Sequence, residues 1–300
     1  MLSVVVVAWN EEKNLPRMLD SVSNLADEIV VVVDEDSRDD TVKIAKKYTK
    51  KVFTHKHVGI VEPMRNFAID KATGDWILLL DADEIVTLEL GARIQEIIKN
   101  SSCDYVLIPR KNIIFGKWII SDHWWPDYVY RLFKKDAIKW DNDIHSIPFT
   151  RGEEEKIEAK EDLALVHYNY PSIENFIEKL NRYTSAQKEI LIKKGYRFNP
   201  KDLILKPMDE FIRQFFARKG YLDGTHGLAL AGLQAFSEFV LYLKVWNDEG
   251  FFQGDVDPRL VSSLVRSKSS EYRWWEYQVR INTSGFFTKI WLKLKRRLGL

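Results

Sequence analysis

The sequence predicts an α/β fold for its first half, followed by a mainly helical second half. Up to about residue 110, short apolar runs rich in β-branched residues alternate with segments of helical periodicity. That order is typical of a mainly parallel sheet with right-handed crossovers. Several of the apolar runs are too continuous for a half-exposed sheet, so we expect the sheet to be covered on both faces. After Pro171 the apolar spacing becomes helical.

The elements follow from these patterns in chain order. Strands are predicted at residues 4–7, 29–33, 51–54, 77–80 and 105–109, with a further strand at 129–134. Helices are predicted at 15–22, 41–48, 64–72 and 88–98. Asp39 and Thr87 are the expected N-caps of the second and fourth helices, because their side-chain oxygens can accept a backbone N–H of the first turn.

The second half differs in composition from the first. Residues 111–150 are rich in tryptophan and charge, and we expect them to add an aromatic-lined loop to the sheet. The highly charged segment 151–162 is predicted to be a solvated loop or an exposed edge. Further helices are predicted at 172–194, 207–219 and 228–247. We therefore predict a first domain at 1–150 and a mainly helical region at 151–300, ending in a basic amphipathic tail at about 286–300.

Composition limits the classes of function. The formal net charge of +1 gives no general attraction for nucleic acid, so we expect no nucleic-acid partner. The single cysteine, Cys103, fits a reducing compartment. The N-terminal apolar run meets two glutamates at once and predicts a buried strand, not a signal peptide. Segment 227–246 contains Glu238 and Lys244, so we expect a mostly buried helix there and a cytoplasmic location.

A cluster of carboxylates follows the predicted strand at 77–80. Asp81 and Asp83 are two residues apart and can face one ion from a strand end. Mg²⁺ and Mn²⁺ accept few protein oxygens and take their remaining ligands from water and phosphate. The pattern therefore indicates a metal and diphosphate site, although an isolated D-x-D is also typical of a solvated acidic turn.

Polar residues at several strand and helix ends strengthen the prediction of a metal and diphosphate site. They are 8–12 after the first strand, 34–41 after the second, Arg65 and Asn66 in the third helix, and 81–84 after the fourth strand. In open α/β sheets, ligands bind beyond the carboxyl ends of the strands. These motifs together resemble family 2 GT-A glycosyltransferases, especially lipopolysaccharide-core glucosyltransferases and related surface-polysaccharide enzymes. The resemblance is strong over residues 2–100 and weaker to about 247.

The resemblance implies roles for the matching residues. It implies a Rossmann-like GT-A fold that binds a nucleotide-sugar, most often UDP-linked, with Mg²⁺ or Mn²⁺. The nucleotide-sugar would be bound by Ala8, Asn10, Glu11, Asp34, Arg65, Asp81, Ala82 and Asp83. Within that set, Asp34 would accept a hydrogen bond from the base and Arg65 would pair with the diphosphate. Asp83 would hold the metal, and Asp81 the ribose, the metal or its waters.

The base that takes the acceptor proton is less well defined. Family 2 members invert the anomeric centre by direct displacement, which needs a carboxylate or histidine near the acceptor hydroxyl. Related enzymes often carry a His-Glu pair after the strand that ends in Arg-Leu-Phe, whereas this chain has His145 followed by Ser146. The candidates are Asp127, Asp143 and His145, and His145 is also a candidate metal ligand.

Two aromatic segments suggest further contacts. Trp118, Trp124 and Trp125 can stack on an acceptor sugar or pack in the core. The tail at 286–300 has five basic and no acidic residues, and its apolar residues share one helical face. It fits either peripheral contact with an anionic membrane at the inner face of the plasma membrane, or a helix packed on the domain.

The function predicted from the sequence is inverting, metal-dependent transfer of a sugar from a nucleotide-sugar to a saccharide or lipid-linked acceptor in cell-surface glycan assembly. Two alternatives stay open. A polyprenyl-phosphate sugar synthase shares the acidic motif and needs no strong base, because its acceptor is already anionic. A non-catalytic protein that binds sugar nucleotides or glycans would also use the predicted pocket.

Overall fold

The chain is described by a computed structural model that covers residues 1–56, 62–140 and 148–298. These residues form two compact units. The first contains Met1–Ile114 and Trp124–Asn169, and the second contains Phe115–His123 and Tyr170–Leu300. The functional boundary predicted near residue 150 stays a prediction.

The first unit alternates strands and helices as the sequence predicts. Its strands are β1 (Leu2–Ala8), β2 (Glu28–Asp34), β3 (Val52–His55), β4 (Trp76–Asp81), β5 (Glu84–Ile85), β6 (Tyr105–Ile114), β8 (Asp127–Lys134), β9 (Ile138–Lys139), β10 (Phe149–Thr150), β11 (Glu154–Lys156) and β12 (Leu165–Tyr170). The remaining strand, the short β7 (Lys117–Trp118), belongs to the second unit. Its helices are α1 (Leu15–Val22), α2 (Thr41–Tyr48), α3 (Glu62–Lys71) and α4 (Leu88–Asn100).

The main sheet is mixed and its first part is parallel. The strand order is β3-β2-β1-β4-β8-β6-β12-β5, and β11 lies parallel to β6. Strands β3, β2, β1 and β4 are mutually parallel, whereas β8 is antiparallel to β4 and to β6. In this register Ala8 pairs with Val33 and Val7 with Asp81. The carboxyl ends of the first four strands therefore share one edge.

Alternate residues of the central strands enter opposite cores, as expected for a sheet covered on both faces. One apolar cluster contains Val4 and Val6 of β1, and the other contains Val5 and Val7. Helices α1 and α4 supply the first cluster, and α3 supplies the second. Cys103 is buried in the first cluster. The continuous apolar runs in the sequence reflect this burial on two sides.

The helix starts in the first unit test the predicted caps. Thr87 is confirmed, because its side chain accepts a hydrogen bond from the Leu90 N–H (3.1 Å). The predicted cap Asp39 is one residue early: Asp40 is the N-cap of α2 by position. The Asp39 carboxylate nevertheless accepts the Thr41 N–H (3.0 Å), so it still satisfies a donor of the first turn.

The second unit is helical. It contains α5 (Ile173–Lys193), α6 (Asp202–Ile212), a π-helical segment (Arg213–Ala217), a 3₁₀ turn (Gly220–Asp223), α7 (Thr225–Asp248), α8 (Pro258–Thr283) and α9 (Phe286–Leu298). The buried Asp223 carboxylate accepts the N–H groups of Ile120 and Ser121, both at 2.9 Å. This contact holds the loop 115–123 within the unit.

Two helical predictions are wrong in detail. The helix predicted at 207–219 begins at Asp202 and includes Pro207 in its interior, and the α-helix ends at Ile212 before the π-helical segment. Helix α7 is less buried than expected, since only 28% of its most apolar 18-residue window is buried. Among the described residues, α7 is the one helix long and apolar enough to cross a membrane.

Helix α9 exposes its apolar face. Leu292 is buried, and Arg296 stacks over Trp274 of α8 at 5.0 Å. On the far side, the large apolar side chains are exposed, from 47% for Ile290 to 85% for Phe287. The exposed set is Phe286, Phe287, Ile290, Trp291 and Leu294. At 100° per residue these positions span an arc of about 140°.

Candidate functional site

The site lies at the carboxyl edge of the parallel strands, where β4 ends in Asp81. Asp81 is partly buried, and both of its carboxylate oxygens accept hydrogen bonds from Arg65 Nη2, at 3.1 and 3.2 Å. Arg131 Nη2 donates to Asp81 Oδ2 and to Glu84 Oε1, the latter at 2.7 Å. Glu84 is fully buried and Arg131 is 3% exposed. The strand end therefore carries a buried ionic network.

The network extends to Asp127 through Arg110. Arg110 Nη1 lies 3.1 Å from Glu84 Oε1. Its Nε donates to Asp127 Oδ2 at 2.8 Å, and its Nη2 lies 2.7 Å from the same oxygen. Asn112 Nδ2 donates to the same oxygen (3.0 Å) and to the Trp124 carbonyl (3.1 Å). Three arginines thus face three carboxylates, so the network is locally neutral.

Asp83 lies beside this network and next to a histidine that β12 supplies. His167 pairs with Glu84 across β12 and β5, and the Tyr168 N–H donates to the Asp83 carbonyl (3.0 Å). This pairing brings His167 Nε2 to 3.5 Å from Asp83 Oδ2. His167 Nδ1 lies 2.7 Å from Asn112 Oδ1. A carboxylate oxygen and an imidazole nitrogen therefore meet beside the strand end.

The arginines decide the charge state of the strand end. Burial alone would raise the pKa of Asp81, but Arg131, Arg65 and Arg110 outweigh it and hold that pKa well below its usual range. Burial would lower the pKa of Arg131, but Asp81 and Glu84 outweigh it and raise that pKa. Asp81 and Arg131 are therefore charged across the whole physiological range.

The loops after β1 and β2 are joined by hydrogen bonds. The Asn10 N–H donates to Ser37 Oγ (3.0 Å), and the Arg38 N–H donates back to Asn10 Oδ1 (2.8 Å). The Glu11 N–H donates to Thr41 Oγ1 (2.8 Å). Asn10 has φ of 55°, a left-handed conformation that asparagine tolerates better than most residues. These contacts fix the two loops against each other.

Asp34 and Ala8 lie at the base of these loops. Asp34 is buried, and its Oδ1 accepts the Asp36 N–H (2.9 Å). Ala8 is also buried, at the end of β1. The polar residues of the two loops thus occupy the same edge of the sheet as Asp81.

The structure places the predicted site residues in two groups. Arg65, Asp81, Ala82, Asp83 and Asp127 lie at or beside the end of β4, and Ala8, Asn10, Glu11 and Asp34 lie at the ends of β1 and β2. Asp143 and His145 lie outside the described residues. Trp124 and Trp125 belong to the first unit, and Trp118 belongs to the second.

The candidate cation site in the described part of the chain consists of two side chains that could act as ligands, Asp83 and His167. No group of three or more His, Cys, Asp or Glu side chains suited to a metal occurs within residues 1–56, 62–140 and 148–298. Asp81, predicted as a further ligand, instead accepts hydrogen bonds from Arg65 and Arg131.

Four residues of the site were missed from the sequence: Arg110, Asn112, Arg131 and His167. The signals were present. Arg131 interrupts an apolar strand, and an arginine placed there needs a buried partner. Residues 165–170, LVHYNY, have the β-rich composition of a strand before Pro171. The sequence did not reveal which strand they would pair with.

Polar loops and an acidic turn at the carboxyl ends of parallel strands are typical of α/β proteins that bind a nucleotide at that edge. The model of the family "Glycosyl transferase family 2" matches residues 3–152. An uncharacterized glycosyltransferase of Rickettsia typhi is 31% identical over 254 residues, covering 81% of this chain and 86% of that protein. A second, from Rickettsia prowazekii, is 30% identical over 258 residues, covering 81% and 86%. The chain belongs to glycosyl transferase family 2 and is a glycosyltransferase with the GT-A fold.

Solved structures include two similar chains. S. aureus TarS, residues 1–349, has a TM-score of 0.42 at 19% identity, covering 95% of this chain and 93% of that chain. Glucosyl-3-phosphoglycerate synthase from Mycobacterium tuberculosis, in complex with Mg²⁺ and UDP, has a TM-score of 0.42 at 17% identity, covering 65% and 79%.

Proposed function

We propose that the protein is an inverting, metal-dependent glycosyltransferase that moves a sugar from a UDP-sugar to a saccharide or lipid-linked acceptor in cell-surface glycan assembly. The observation that carries this proposal is the meeting of Asp83 and His167 beside the neutral ionic network at the end of β4. There, one cation can neutralise charge without disturbing the arginine pairs.

The residues fit a divalent metal by their chemistry. A carboxylate oxygen and an imidazole nitrogen suit Mn²⁺ or Mg²⁺, which leave remaining positions to water and phosphate. Asp83 and His167 would hold the ion, with His145 as a further candidate ligand. When bound, the ion would supply a positive charge beside the departing nucleoside diphosphate.

Arg65 is the residue we propose for the diphosphate. Its Nη2 is held by Asp81, whereas its buried Nε has no hydrogen-bond partner in the described residues. A buried donor without a partner is costly, and an anionic oxygen would satisfy it. Asp81 thus acts through Arg65, by fixing the guanidinium.

Asn10 and Asp34 are proposed to bind the nucleoside. Their loops are already fixed to each other by the contacts of Ser37 and Arg38. A carboxylate such as Asp34 accepts hydrogen bonds only, which suits the imide N–H of uracil. Ala8 and Glu11 would line the same pocket.

The proton of the acceptor hydroxyl must pass to a base, and the candidates remain Asp127, Asp143 and His145. Of these, the structure describes Asp127 alone. One oxygen of Asp127 accepts hydrogen bonds from Arg110 Nε and Asn112 Nδ2, and Arg110 Nη2 lies 2.7 Å from it. Those contacts favour a positioning role for that carboxylate over proton transfer.

The test is metal-dependent turnover of UDP-sugars. Purified protein with Mn²⁺ is expected to release UDP from at least one member of a donor panel, and chelation should abolish the release. Asp83→Asn should lower turnover at least a hundredfold, because it removes the charged ligand of the ion. Asp136→Asn, at an exposed position, is the matched control and should retain full activity.

Other results would refute the metal assignment or favour one of the alternative functions. Full turnover by Asp83→Asn, or by metal-free protein, would refute the metal assignment. Binding of UDP-sugars without turnover on any donor or acceptor would favour a non-catalytic binding protein. Transfer to a polyprenyl phosphate in preference to saccharides would favour the polyprenyl-phosphate sugar synthase.

We also propose that α9 contacts an anionic membrane, which would locate the protein at the inner face of the plasma membrane. The support is its outward apolar arc, which Lys293 and Lys295 of the same helix flank. Phe287→Ser combined with Trp291→Ser should abolish co-flotation with vesicles containing phosphatidylserine. Thr288→Ala, exposed on the same helix, should leave it unchanged. Flotation of the double variant at the wild-type level would contradict the proposal.

A further inference from the structure

Asn112 is a fully buried side chain at the centre of the site. It lies on β6, between the ionic network and the candidate cation site. Its amide nitrogen contacts Asp127 and Trp124, and its amide oxygen contacts His167. Asn112 therefore joins the rigid part of the site to a candidate ligand.

The partners of Asn112 determine which way its amide group points. The Trp124 carbonyl and the Asp127 carboxylate can only accept hydrogen bonds, so the NH₂ group must face them, at 3.1 and 3.0 Å. The amide oxygen then faces His167 Nδ1 at 2.7 Å. Asn169 Nδ2 approaches the same oxygen at 3.5 Å, as a donor would.

The direction of the amide determines the proton position on His167. An amide oxygen accepts and does not donate, so the proton must be on His167 Nδ1. In the neutral ring, Nε2 then carries a lone pair. That lone pair faces Asp83 Oδ2 at 3.5 Å. Two acceptors that face each other across this distance attract only when a cation or a proton lies between them.

We propose that Asn112 is a positioning residue that holds a proton of His167 on Nδ1, so that Nε2 is offered with Asp83 to a divalent cation. The cation part of this inference rests on the proposed function, whereas the tautomer part rests only on the hydrogen bonds. Outer partners of this kind orient histidine ligands in metal sites.

Asp127, the acceptor for the Asn112 amide nitrogen, is itself held in place by Arg110. Arg110 holds Asp127 through Nε and Nη2, and its Nη1 contacts the buried Glu84. Asp127 is thereby fixed as the acceptor for Asn112. Rotating the amide of Asn112 would place its oxygen against the Asp127 carboxylate, an unfavourable contact of two acceptors.

The tautomer can be measured directly. In metal-free protein with ¹⁵N-labelled histidine at pH 8, where histidines are ordinarily neutral, the two-bond ¹H–¹⁵N spectrum distinguishes the tautomers. His167→Gln identifies the signal. We expect the Nδ1–H tautomer in the wild type. The Nε2–H tautomer in the wild type would overturn the proposal.

Substitution of Asn112 tests the consequence. Asn112→Leu keeps a branched side chain but removes the acceptor, so His167 should change toward the Nε2–H tautomer. Mn²⁺ affinity, measured by electron paramagnetic resonance, should fall roughly 10- to 100-fold. Asn169→Leu is the control and should retain the wild-type tautomer. An unchanged tautomer or an unchanged Mn²⁺ affinity in folded Asn112→Leu would overturn the proposal.

Failure of the proposed function gives a different result. Suppose that the wild type turned over no donor, yet showed the Nδ1–H tautomer and bound Mn²⁺ more tightly than Asn112→Leu. The positioning role of Asn112 would then be supported, and the proposed transfer reaction would be refuted. An Nε2–H tautomer in an active enzyme would give the opposite result.

Discussion

Arg131 is the residue on which the charge arrangement of the site most depends. It is almost fully buried, and one of its nitrogens donates to both Asp81 and Glu84. A buried ion pair gains little over apolar packing, but removing one partner leaves an uncompensated buried charge. The energetic role of Arg131 is therefore to compensate the charges of buried Glu84 and partly buried Asp81.

Arg131→Met should lower the free energy of unfolding by about 3–5 kcal/mol, because Asp81 and Glu84 would lose their common cation. Urea denaturation followed by circular dichroism measures this change. Arg151→Met, at an exposed position, should change stability by no more than about 0.5 kcal/mol. A loss below about 1 kcal/mol for Arg131→Met would show that Arg65 and Arg110 suffice for both carboxylates.

At the same scale, the acidic strand end was predictable, whereas its partners were not. Asp81 and Asp83 follow an apolar strand at a spacing that the sequence displays directly. Their partners Arg131 and His167 come from β8 and β12, which are distant in sequence and adjacent only through strand pairing. Pairing of this kind depends on the tertiary fold, and no local pattern of residues encodes it.

At the scale of elements, Glu28 at the start of β2 joins several segments at the amino edge of the sheet. Its carboxylate accepts hydrogen bonds from Ser3 of β1, from Lys51 before β3, and from the Thr73 N–H and hydroxyl, the last two at 2.8 Å. Gly74 is next to this cluster, where an added Cβ would lie 2.6 Å from Ser3 Oγ.

Glu28 should make stability depend on pH. Burial raises the pKa of Glu28, but the bonds from Lys51, Ser3 and Thr73 outweigh it and lower that pKa from 4.5 to about 2. Because the folded-state pKa is the lower one, the carboxylate stabilises the fold above pH 4.5, and this contribution is lost as the pH falls toward 2. The shift corresponds to roughly 3 kcal/mol.

Glu28→Gln should therefore lose roughly 3 kcal/mol of unfolding free energy at pH 7 and almost nothing near pH 2. Guanidinium denaturation at both pH values measures the difference. Glu89→Gln, exposed in the first turn of α4, is the control. An equal loss at both pH values would assign the effect of Glu28→Gln to packing rather than to charge.

The elements themselves were predictable to different degrees. The alternating strands and helices up to residue 109 follow from periodicity, because burial on both faces leaves continuous apolar runs. The start of α6 was misplaced because Pro207 resembles a helix start, yet the apolar residues before it already belong to the helix. Helix α7 is apolar without being mostly buried, so its burial was predicted wrongly from composition.

At the scale of the whole molecule, the net charge is near zero although charged side chains are clustered locally. The sequence predicts no global attraction for any charged partner, yet the structure places three arginines and three carboxylates together at the carboxyl edge of the sheet. Ligand binding at that edge should thus be detectable in the stability of the protein as a whole, since a ligand that binds only the native state raises apparent stability.

UDP with Mn²⁺ is expected to raise the melting temperature, and a hundredfold excess over Kd adds about 2.7 kcal/mol. Differential scanning fluorimetry with UDP alone, Mn²⁺ alone and both together measures the coupling. In Asp83→Asn, the extra shift from Mn²⁺ should disappear. Equal shifts in the wild type with and without Mn²⁺ would contradict a shared metal and diphosphate site.

The burial of Cys103 has a practical consequence. This sole thiol of the chain is 4% exposed, and burial is the main cause that raises its pKa. Since the thiolate is the form that reacts, maleimide and methanethiosulfonate probes should leave the native side chain largely unmodified. A cysteine introduced at an exposed position can therefore be labelled selectively without first removing Cys103. The unaltered chain is already a background for site-directed spin labelling and fluorescence.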